Sequence, residues 1–506
     1  MKIKNLYGGK AHSAKIIMMS EILKRDMGLL TDFYELLMME GYFDLAKRNK
    51  SEEKIVTFDV FYRKNPFGNG FSVFCGLNEI IDYIINLKFT DDDIAYIKKY
   101  STFNDDFLTY LKNFRFTGDV YAFEEGSVIN CKEPVIKVVA PISEAQLIES
   151  AMLCLFNHET LIATKSYRIC EAAKPCGVME FGLRRAMSFD AAIYGAKAAC
   201  IAGCIGTSNV LTAKMYDLPA LGTMAHSWIM SFEDEFTAFK EFAIRYPDMA
   251  ILLVDTFDTI KSGIPNAIRT FDYMKEKGIH SKKYGIRLDS GDLAYLSKVA
   301  REMLDKAGYK DAVICASNDL DENLIMSLNS QDAKIGLYGV GTKLITGNGS
   351  TLGGVYKLSS VYDEKEKCFI PKLKISSNVE KVTNPGNKEV YRVYDENGKL
   401  FADLLTFYDE VIDESKELTL FDPVNIWKKR VMEPGKYKIR KMLNKIFEKG
   451  KLVYSRKSVL ESKKYFEKEL ETLNDDNKRL TNPKEIYVDL SKKLYDKKIE
   501  LLSDYS

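Results

Sequence analysis

Between Ile142 and Gly353, short apolar runs alternate with amphipathic stretches of helical period. The runs are Val178–Phe181, Cys204–Gly206, Ala220–His226, Ile251–Val254, Tyr284–Leu288, Ala312–Ala316 and Ile335–Tyr338, with helical patterns such as Asp234–Tyr246 and Asp292–Ala307 between them. A long helical run, Ile142–Ala173, precedes the series. Apolar on both faces, such runs read as parallel strands, and parallel strands need a crossover element between them. At about 30 residues per unit this is the βα signature, and there are enough units to close a barrel. A doubly wound sheet is the alternative architecture. His226, Asp255, Asp289, Asn318 and Gly339 fall at or just beyond the strand ends. Barrels carry their chemistry on that face.

The flanking regions follow different patterns. Residues 29–141 read as an α+β domain, with a helix over Leu29–Glu40 capped by Thr31 or Asp32 and a strand at Thr57–Phe61. The turn Asn65-Pro66-Phe67-Gly68-Asn69-Gly70 follows, and Phe116–Val139 supplies further short strands. Strands resume at Gly354–Tyr362, Cys368–Ile375 and Lys388–Tyr394, so residues 354–440 are expected to complete the 29–141 domain around a 142–353 barrel. Residues 441–506, rich in lysine and glutamate, read as a charged helical region, and 1–28 as a flexible extension.

Composition removes several function classes. At 57.6 kDa and 46% hydrophobic residues, two or three well-cored domains are expected. A net charge of +1 leaves no basic footprint for nucleic acid or an anionic membrane. No stretch approaches the ~20 apolar residues that span a bilayer. The nine cysteines include no C-x-x-C pair, and the closest spacings, Cys170/Cys176 and Cys200/Cys204, lie in alanine-rich helical patterns. Reduced thiols of a cytoplasmic protein are expected, with no protein-built metal site.

One of four histidines lies in Gly222-Thr223-Met224-Ala225-His226-Ser227-Trp228, where small and hydroxyl neighbours leave its ring nitrogens approachable. A buried, satisfied imidazole is the ordinary reading of a lone histidine, but the surrounding motifs outweigh it. Upstream lie Thr31-Asp32-Phe33-Tyr34, Glu180-Phe181-Gly182-Leu183-Arg184-Arg185-Ala186 and Gly206-Thr207-Ser208-Asn209. Downstream lie Leu253-Val254-Asp255-Thr256-Phe257-Asp258, Arg287-Leu288-Asp289-Ser290-Gly291-Asp292 and Tyr338-Gly339-Val340-Gly341-Thr342. From about Leu29 to Leu358 this series resembles the nicotinate phosphoribosyltransferase family.

The resemblance implies an irregular (β/α) barrel of the type II phosphoribosyltransferase kind. The implied reaction joins nicotinate to phosphoribosyl pyrophosphate, giving nicotinate mononucleotide and pyrophosphate for NAD biosynthesis, coupled to ATP hydrolysis. Magnesium would bridge the polyphosphates through substrate oxygens and water. The family's histidine accepts phosphate from ATP, so His226 is the expected phosphohistidine; Asp255, or alternatively Asp258, would orient it. Phe181 and Tyr34 would cover the two faces of the pyridine, with Tyr34 reaching in from the second subunit of a homodimer. Arg184 and Arg287 would meet the nicotinate carboxylate, Asp289 the ribose hydroxyls and the positive charge at C1. Arg185, Ser317, Asn318, Gly339, Gly341 and Thr342 would hold phosphate.

Each assignment has a plainer competitor. Tandem arginines are commonly solvated, Phe181 could be core, and Arg287 with Asp289 two residues on could be an internal salt bridge, since i and i+2 share a face in a strand. Ser208 could merely cap a helix. Nicotinamide-specific relatives carry aspartate at its position, and an uncharged serine favours nicotinate. The competing functions are nicotinamide salvage, a non-catalytic nucleotide-binding relative that would have lost His226, Arg287 or the glycines, and a barrel isomerase or aldolase, for which Lys343 is the only suitably placed lysine.

Overall fold

The computed structural model describes residues 25–504 apart from Ser101 and Ile426, so most of the expected N-terminal extension lies outside the described residues. At the centre is a parallel sheet in the order Gly177–Glu180, Leu337–Val340, Val313–Ala316, Tyr284–Leu288, Ala250–Leu253. Beyond Gly177–Glu180, two single-residue parallel bridges extend it, Glu180 to Thr207 and Thr207 to Ala220. The order is cyclic in sequence, with one seam, between Ala220 and Ala250, that no bridge crosses among the described residues.

Two expected strands are therefore reduced to bridges. Cys204–Gly206 keeps strand-like hydrogen bonds (Ile205 N–H to the Val178 carbonyl, 2.9 Å; Glu180 N–H to the Gly206 carbonyl, 3.0 Å), but the bridging residue is Thr207. Ala220–His226 pairs only at Ala220, and His226 instead opens the short helix His226–Met230. The backbone there turns away from the ladder, and its Met224 carbonyl accepts from the Arg287 guanidinium at 3.2 Å.

The returning helices start on capping side chains that follow the strand ends. Asn209, Asp234, Asp292 and Asp321 each accept a hydrogen bond from the backbone N–H three residues on. Such caps satisfy donors that a helix start leaves orphaned. The long run after Ile142 breaks at Ile148 into Ile142–Leu147 and Glu149–Ala173. The second helix is buried along most of its length and joins the central sheet to the domain before it. Its Thr164 and Thr160 hydroxyls accept from the backbone N–H groups of Val73 (3.0 Å) and Cys75 (3.3 Å).

Outside the parallel sheet, Ile55–Tyr62 lies between Gly354–Asp363 and Ile136–Pro141 in a seven-stranded antiparallel sheet that also takes in Asp119–Ala122, Cys368–Pro371, Asn444–Glu448 and Lys451–Leu452. The region 354–440 thus only partly joins the N-terminal sheet. From Lys388 onward it builds a separate six-stranded sheet with its own core. Nor is the charged C-terminal region simply solvated helix. Its strand Tyr487–Leu490 enters that sheet between Leu400–Phe407 and Leu418–Phe421. Glu469 pairs there with the fully buried Arg392, which also binds Asp403 at 2.9 Å. A high lysine and glutamate content hid this because the apolar positions that dock the tail are few and widely spaced.

Candidate active site

Most of the expected site residues meet at the carboxyl ends of the parallel strands. Asp289, just past Tyr284–Leu288, lies at the centre. Its carboxylate accepts from the Ser317 hydroxyl, lies 3.7 Å from the Arg287 guanidinium and 3.7 Å from Nε2 of His226. Its backbone N–H donates to Asp255 at 2.8 Å, and Asp255 also accepts from the Ser290 hydroxyl at 2.6 Å. Arg287 is itself fixed across the seam by the Thr223 hydroxyl and the Met224 carbonyl. The salt-bridge reading of Arg287 and Asp289 is thus partly right, yet the carboxylate is half-buried and still reachable.

His226 has a different orienting partner from the one expected. Its Nδ1 lies 3.0 Å from the Thr256 hydroxyl. Asp255 is turned to the Asp289 backbone, and Asp258 accepts from the N–H groups of Ile260 and Lys261 to cap the next helical turn. An aspartate immediately before a helical turn commonly caps it, so Asp258 is committed there and the hydroxyl of Thr256 meets the imidazole instead. Oδ1 of Asp255 and Nε of Arg287 are buried with no hydrogen-bond partner among the described residues. Buried polar atoms in a folded protein are rarely left so.

The strand Gly177–Glu180 supplies the other half of the site. Phe181 is partly buried, and Gly339 passes directly beneath it: a Cβ on Gly339 would stand 2.7 Å from two ring carbons. Gly339 therefore seats the ring. Ser317 is likewise committed, to Asp289. Asn318 and Asp319 both take positive φ (85° and 44°), uncommon in succession for non-glycine residues. Gly341 and Thr342 open the short turn Thr342–Ile345 on the neighbouring strand end, where Lys343 donates to Asn348 at 3.2 Å.

Arg184 and Arg185 lie exposed on the one-turn helix Leu183–Arg185, with no ion pair among the described residues. Ser208 is not the helix cap; Asn209 is, and the Ser208 hydroxyl makes no hydrogen bond among the described residues. Tyr34, on the helix Phe33–Asn49, is 45% exposed and forms no ring contact with Phe181 in the same chain.

Glu180 has a role that its place in the sequence motif does not disclose. Fully buried, it accepts from the Thr207 hydroxyl at 2.6 Å and from the Gly182 N–H, and its backbone carbonyl accepts from the Ser208 N–H at 2.9 Å. Burial pushes its carboxyl above the usual range. One side chain thus ties the turn bearing Ser208 to the turn bearing Arg184. A glutamate closing an otherwise apolar strand was the available signal.

The only group of three or more potential metal ligands among the described residues is Glu79, Glu125 and Glu159, away from the strand ends. The ammonium of Lys197 already occupies it, 2.8 Å from Glu125 and 2.9 Å from Glu159 and also paired with Glu79. No helix of the described residues is long and apolar enough to cross a membrane.

Comparison with known proteins agrees with this arrangement. Three family models match in succession: the nicotinate phosphoribosyltransferase N-terminal domain over residues 29–157, the nicotinate phosphoribosyltransferase family over 176–396, and its C-terminal domain over 387–498. The chain is 43% identical to nicotinate phosphoribosyltransferase of Bacillus subtilis over 480 residues, covering 94% of this chain and 96% of that one. It is 33% identical to the Caenorhabditis elegans protein of the same name, with 92% of each covered. The crystal structure of human nicotinic acid phosphoribosyltransferase superposes with a TM-score of 0.80 at 25% identity, covering 94% of this chain and all of that one.

Proposed function

Given that the chain belongs to the nicotinate phosphoribosyltransferase family, we propose that the strand-end cluster around Asp289 joins nicotinate to phosphoribosyl pyrophosphate and that His226 couples this to ATP. The enzyme serves NAD salvage. The cyclic strand order supports reading the parallel sheet as an irregular barrel left open at one seam.

Pyridine nitrogen is already a free nucleophile, so no base is required to activate it. The chain's tasks are positioning and charge balance. Nicotinate would lie on Phe181, its carboxylate met by Arg184 or Arg287 and by the Ser208 hydroxyl. Asp289 would bind the ribose and offset the positive charge that grows at C1 as pyrophosphate departs. Asn318, Gly341, Thr342 and Arg185 line the side suited to phosphate. Magnesium would enter with the polyphosphates, and the unpartnered Oδ1 of Asp255 is an oxygen donor that fits it. Tyr34, exposed on its own chain, would cover the second ring face in a partner subunit of a homodimer.

The observation that carries the ATP reading is the pair of contacts on His226. In the tautomer whose Nδ1–H donates to the Thr256 hydroxyl, Nε2 keeps its lone pair, and Asp289 stands near enough to balance positive charge on the phosphorylated ring. Attack of Nε2 on the γ-phosphorus would form the N–P bond as the bond to the bridging oxygen breaks and ADP leaves with the electron pair. Water later releases phosphate. Incubating the protein with phosphoribosyl pyrophosphate and either nicotinate or nicotinamide, with and without ATP, tests the whole reading. Nicotinate mononucleotide should form, faster with ATP. His226→Ala should retain some transfer, lose the ATP stimulation and lose acid-labile, base-stable phosphate. Undiminished phosphate in that variant would refute the assignment.

Selectivity for the acid over the amide is read from Ser208. An aspartate there would face the nicotinate carboxylate, and two anions in contact are strongly disfavoured in a partly dry site. A charge-assisted hydrogen bond is worth roughly 1.5–3 kcal/mol, so discrimination of about tenfold or more is expected from this position. Ser208→Asp should lower kcat/KM for nicotinate far more than for nicotinamide. Equal losses on both substrates would place selectivity elsewhere.

A further inference from the structure

The two closest cysteine spacings in the chain do not pair with themselves. Cys170, on the helix Glu149–Ala173, instead meets Cys204, in the turn after Phe189–Ile201, with 4.0 Å between the sulfurs. The Ser166 hydroxyl lies 3.3 Å from the Cys204 sulfur and 4.0 Å from that of Cys170. The backbone is pressed onto the pair at Gly203 (φ +129°), where a Cβ would stand 3.0 Å from both Cβ and Sγ of Cys170. The ammonium of Lys463, from the charged C-terminal region, anchors the same turn by donating to the Cys204 carbonyl at 2.9 Å.

The two thiols are inequivalent. Cys170 is a half-buried residue, whereas Cys204 is buried. The hydrogen bond with Cys204, helped by Ser166 and the field of Lys463, outweighs burial and holds the Cys170 thiol below its usual range. The Cys204 thiol is pushed well above its own by the same bond and by burial. An acidified thiol on a half-buried residue, with a second, buried thiol at 4.0 Å to resolve it, is the arrangement of peroxide-responsive cysteine pairs.

We propose that Cys170 and Cys204 form a reversible dithiol that closes to a disulfide on reaction with a hydroperoxide and, in closing, displaces the turn carrying Ser208. The Cys170 thiolate attacks peroxide: an S–O bond forms, the O–O bond breaks, and the departing hydroxide takes a proton to leave as water. Cys204 then attacks the sulfenic sulfur. The S–S bond forms, the S–O bond breaks, and the proton from the Cys204 thiol leaves with the oxygen as a second water. Two thiols are oxidised by two electrons and one peroxide is reduced.

A disulfide requires the sulfurs to approach to about 2.05 Å, so the backbone at Cys204 or the helix at Cys170 must shift. Cys204 leads directly into Ile205-Gly206-Thr207-Ser208, whose backbone is bonded to the strand at Val178 and Glu180. The coupling to activity rests on the reading of Ser208 as a nicotinate contact; the cross-link itself does not.

The test treats the full-length protein with hydrogen peroxide, blocks the remaining thiols, and maps the peptides by mass spectrometry alongside activity. Expected are a Cys170–Cys204 linked peptide two hydrogens lighter, loss of two of the nine free thiols, and a roughly tenfold fall in kcat/KM for nicotinate, in keeping with a small misplacement at a positioning group. Dithiothreitol should restore activity. Cys170→Ser, and Cys204→Ser or Cys204→Ala, should match the wild type before treatment and resist inactivation after it. Absence of the linked peptide, or Cys170 passing to sulfinic acid instead, would overturn the pair. A fully linked enzyme with unchanged kcat/KM would overturn the coupling, whereas failure of the Ser208 reading would show separately, as equal losses in Ser208→Asp.

Discussion

Asp289→Ala is expected to lower kcat/KM by roughly 100- to 1,000-fold, the usual loss when a preorganised charge-stabilising group is removed. The carboxylate is held by the Ser317 hydroxyl and the Arg287 guanidinium, and the backbone that carries it is fixed by its N–H to Asp255. It therefore needs no reorganisation when positive charge appears at C1. Deletion also leaves the half-buried Arg287 without its anion. Asp289→Asn separates shape from charge, because it keeps the contacts in outline and removes the negative charge. Steady-state kinetics placing Asp289→Asn within a few-fold of wild type would show that the charge is not used. The same variant tests the shared site: mixing inactive Asp289→Ala with inactive Tyr34→Ala subunits should recover part of the activity, and no recovery despite proven exchange would mean that each chain builds its own site.

The second large effect is on folding. Lys197 is fully buried with its ammonium among Glu79, Glu125 and Glu159, and the Tyr216 hydroxyl donates to Glu79 at 2.9 Å. Removing one partner from a buried ion cluster costs about 3–5 kcal/mol, because the opposite charge stays buried and uncompensated. Lys197→Met leaves three carboxylates and no cation, a loss comparable with much of a domain's net stability. The sign of its pH dependence follows. Burial already pushes Glu125 and Glu159 upward in the wild type, and without the lysine all three would take protons more readily in the folded state than in the unfolded one. The variant should therefore lose stability as pH rises above the ordinary carboxylate range. Thermal melts at pH 5 and pH 8 should show a wider gap than in the wild type, and Glu159→Gln added to Lys197→Met should narrow it. A melting temperature unchanged from wild type would contradict the role of the cluster.

The βα alternation was legible because strands buried on both faces read as unbroken apolar runs, and those runs marked the strand ends where Arg287, Asp289 and His226 converge. Two kinds of information were not legible. One was pairing across the chain: nothing in the spacing of Thr256, Ser317 or Glu180 discloses the imidazole, carboxylate or hydroxyl that each holds, since those bonds depend on how neighbouring strand ends register. The other was the position of sparse apolar residues in a charged stretch. Tyr487–Leu490 has too few residues to show a period, yet sheet neighbours supply what its own pattern lacks. Gly339 illustrates a third difficulty. Its motif suggested phosphate, and the ring of Phe181 above it is a packing reason for glycine that the motif does not disclose.

The arrangement of the antiparallel sheet also bears on how the chain is made. Ile55–Tyr62 is buried along nearly its whole length, but only Ile136–Pro141, of its two neighbours, is close in sequence. The opposite edge must wait for Gly354–Asp363, which leaves the ribosome only after the entire parallel sheet. During that interval an apolar strand presents unsatisfied N–H and C=O groups, the template on which strands of other chains add. Slow elongation or a truncated message would thus expose a sticky edge, and the nascent chain would depend on holding factors until the later strand arrives.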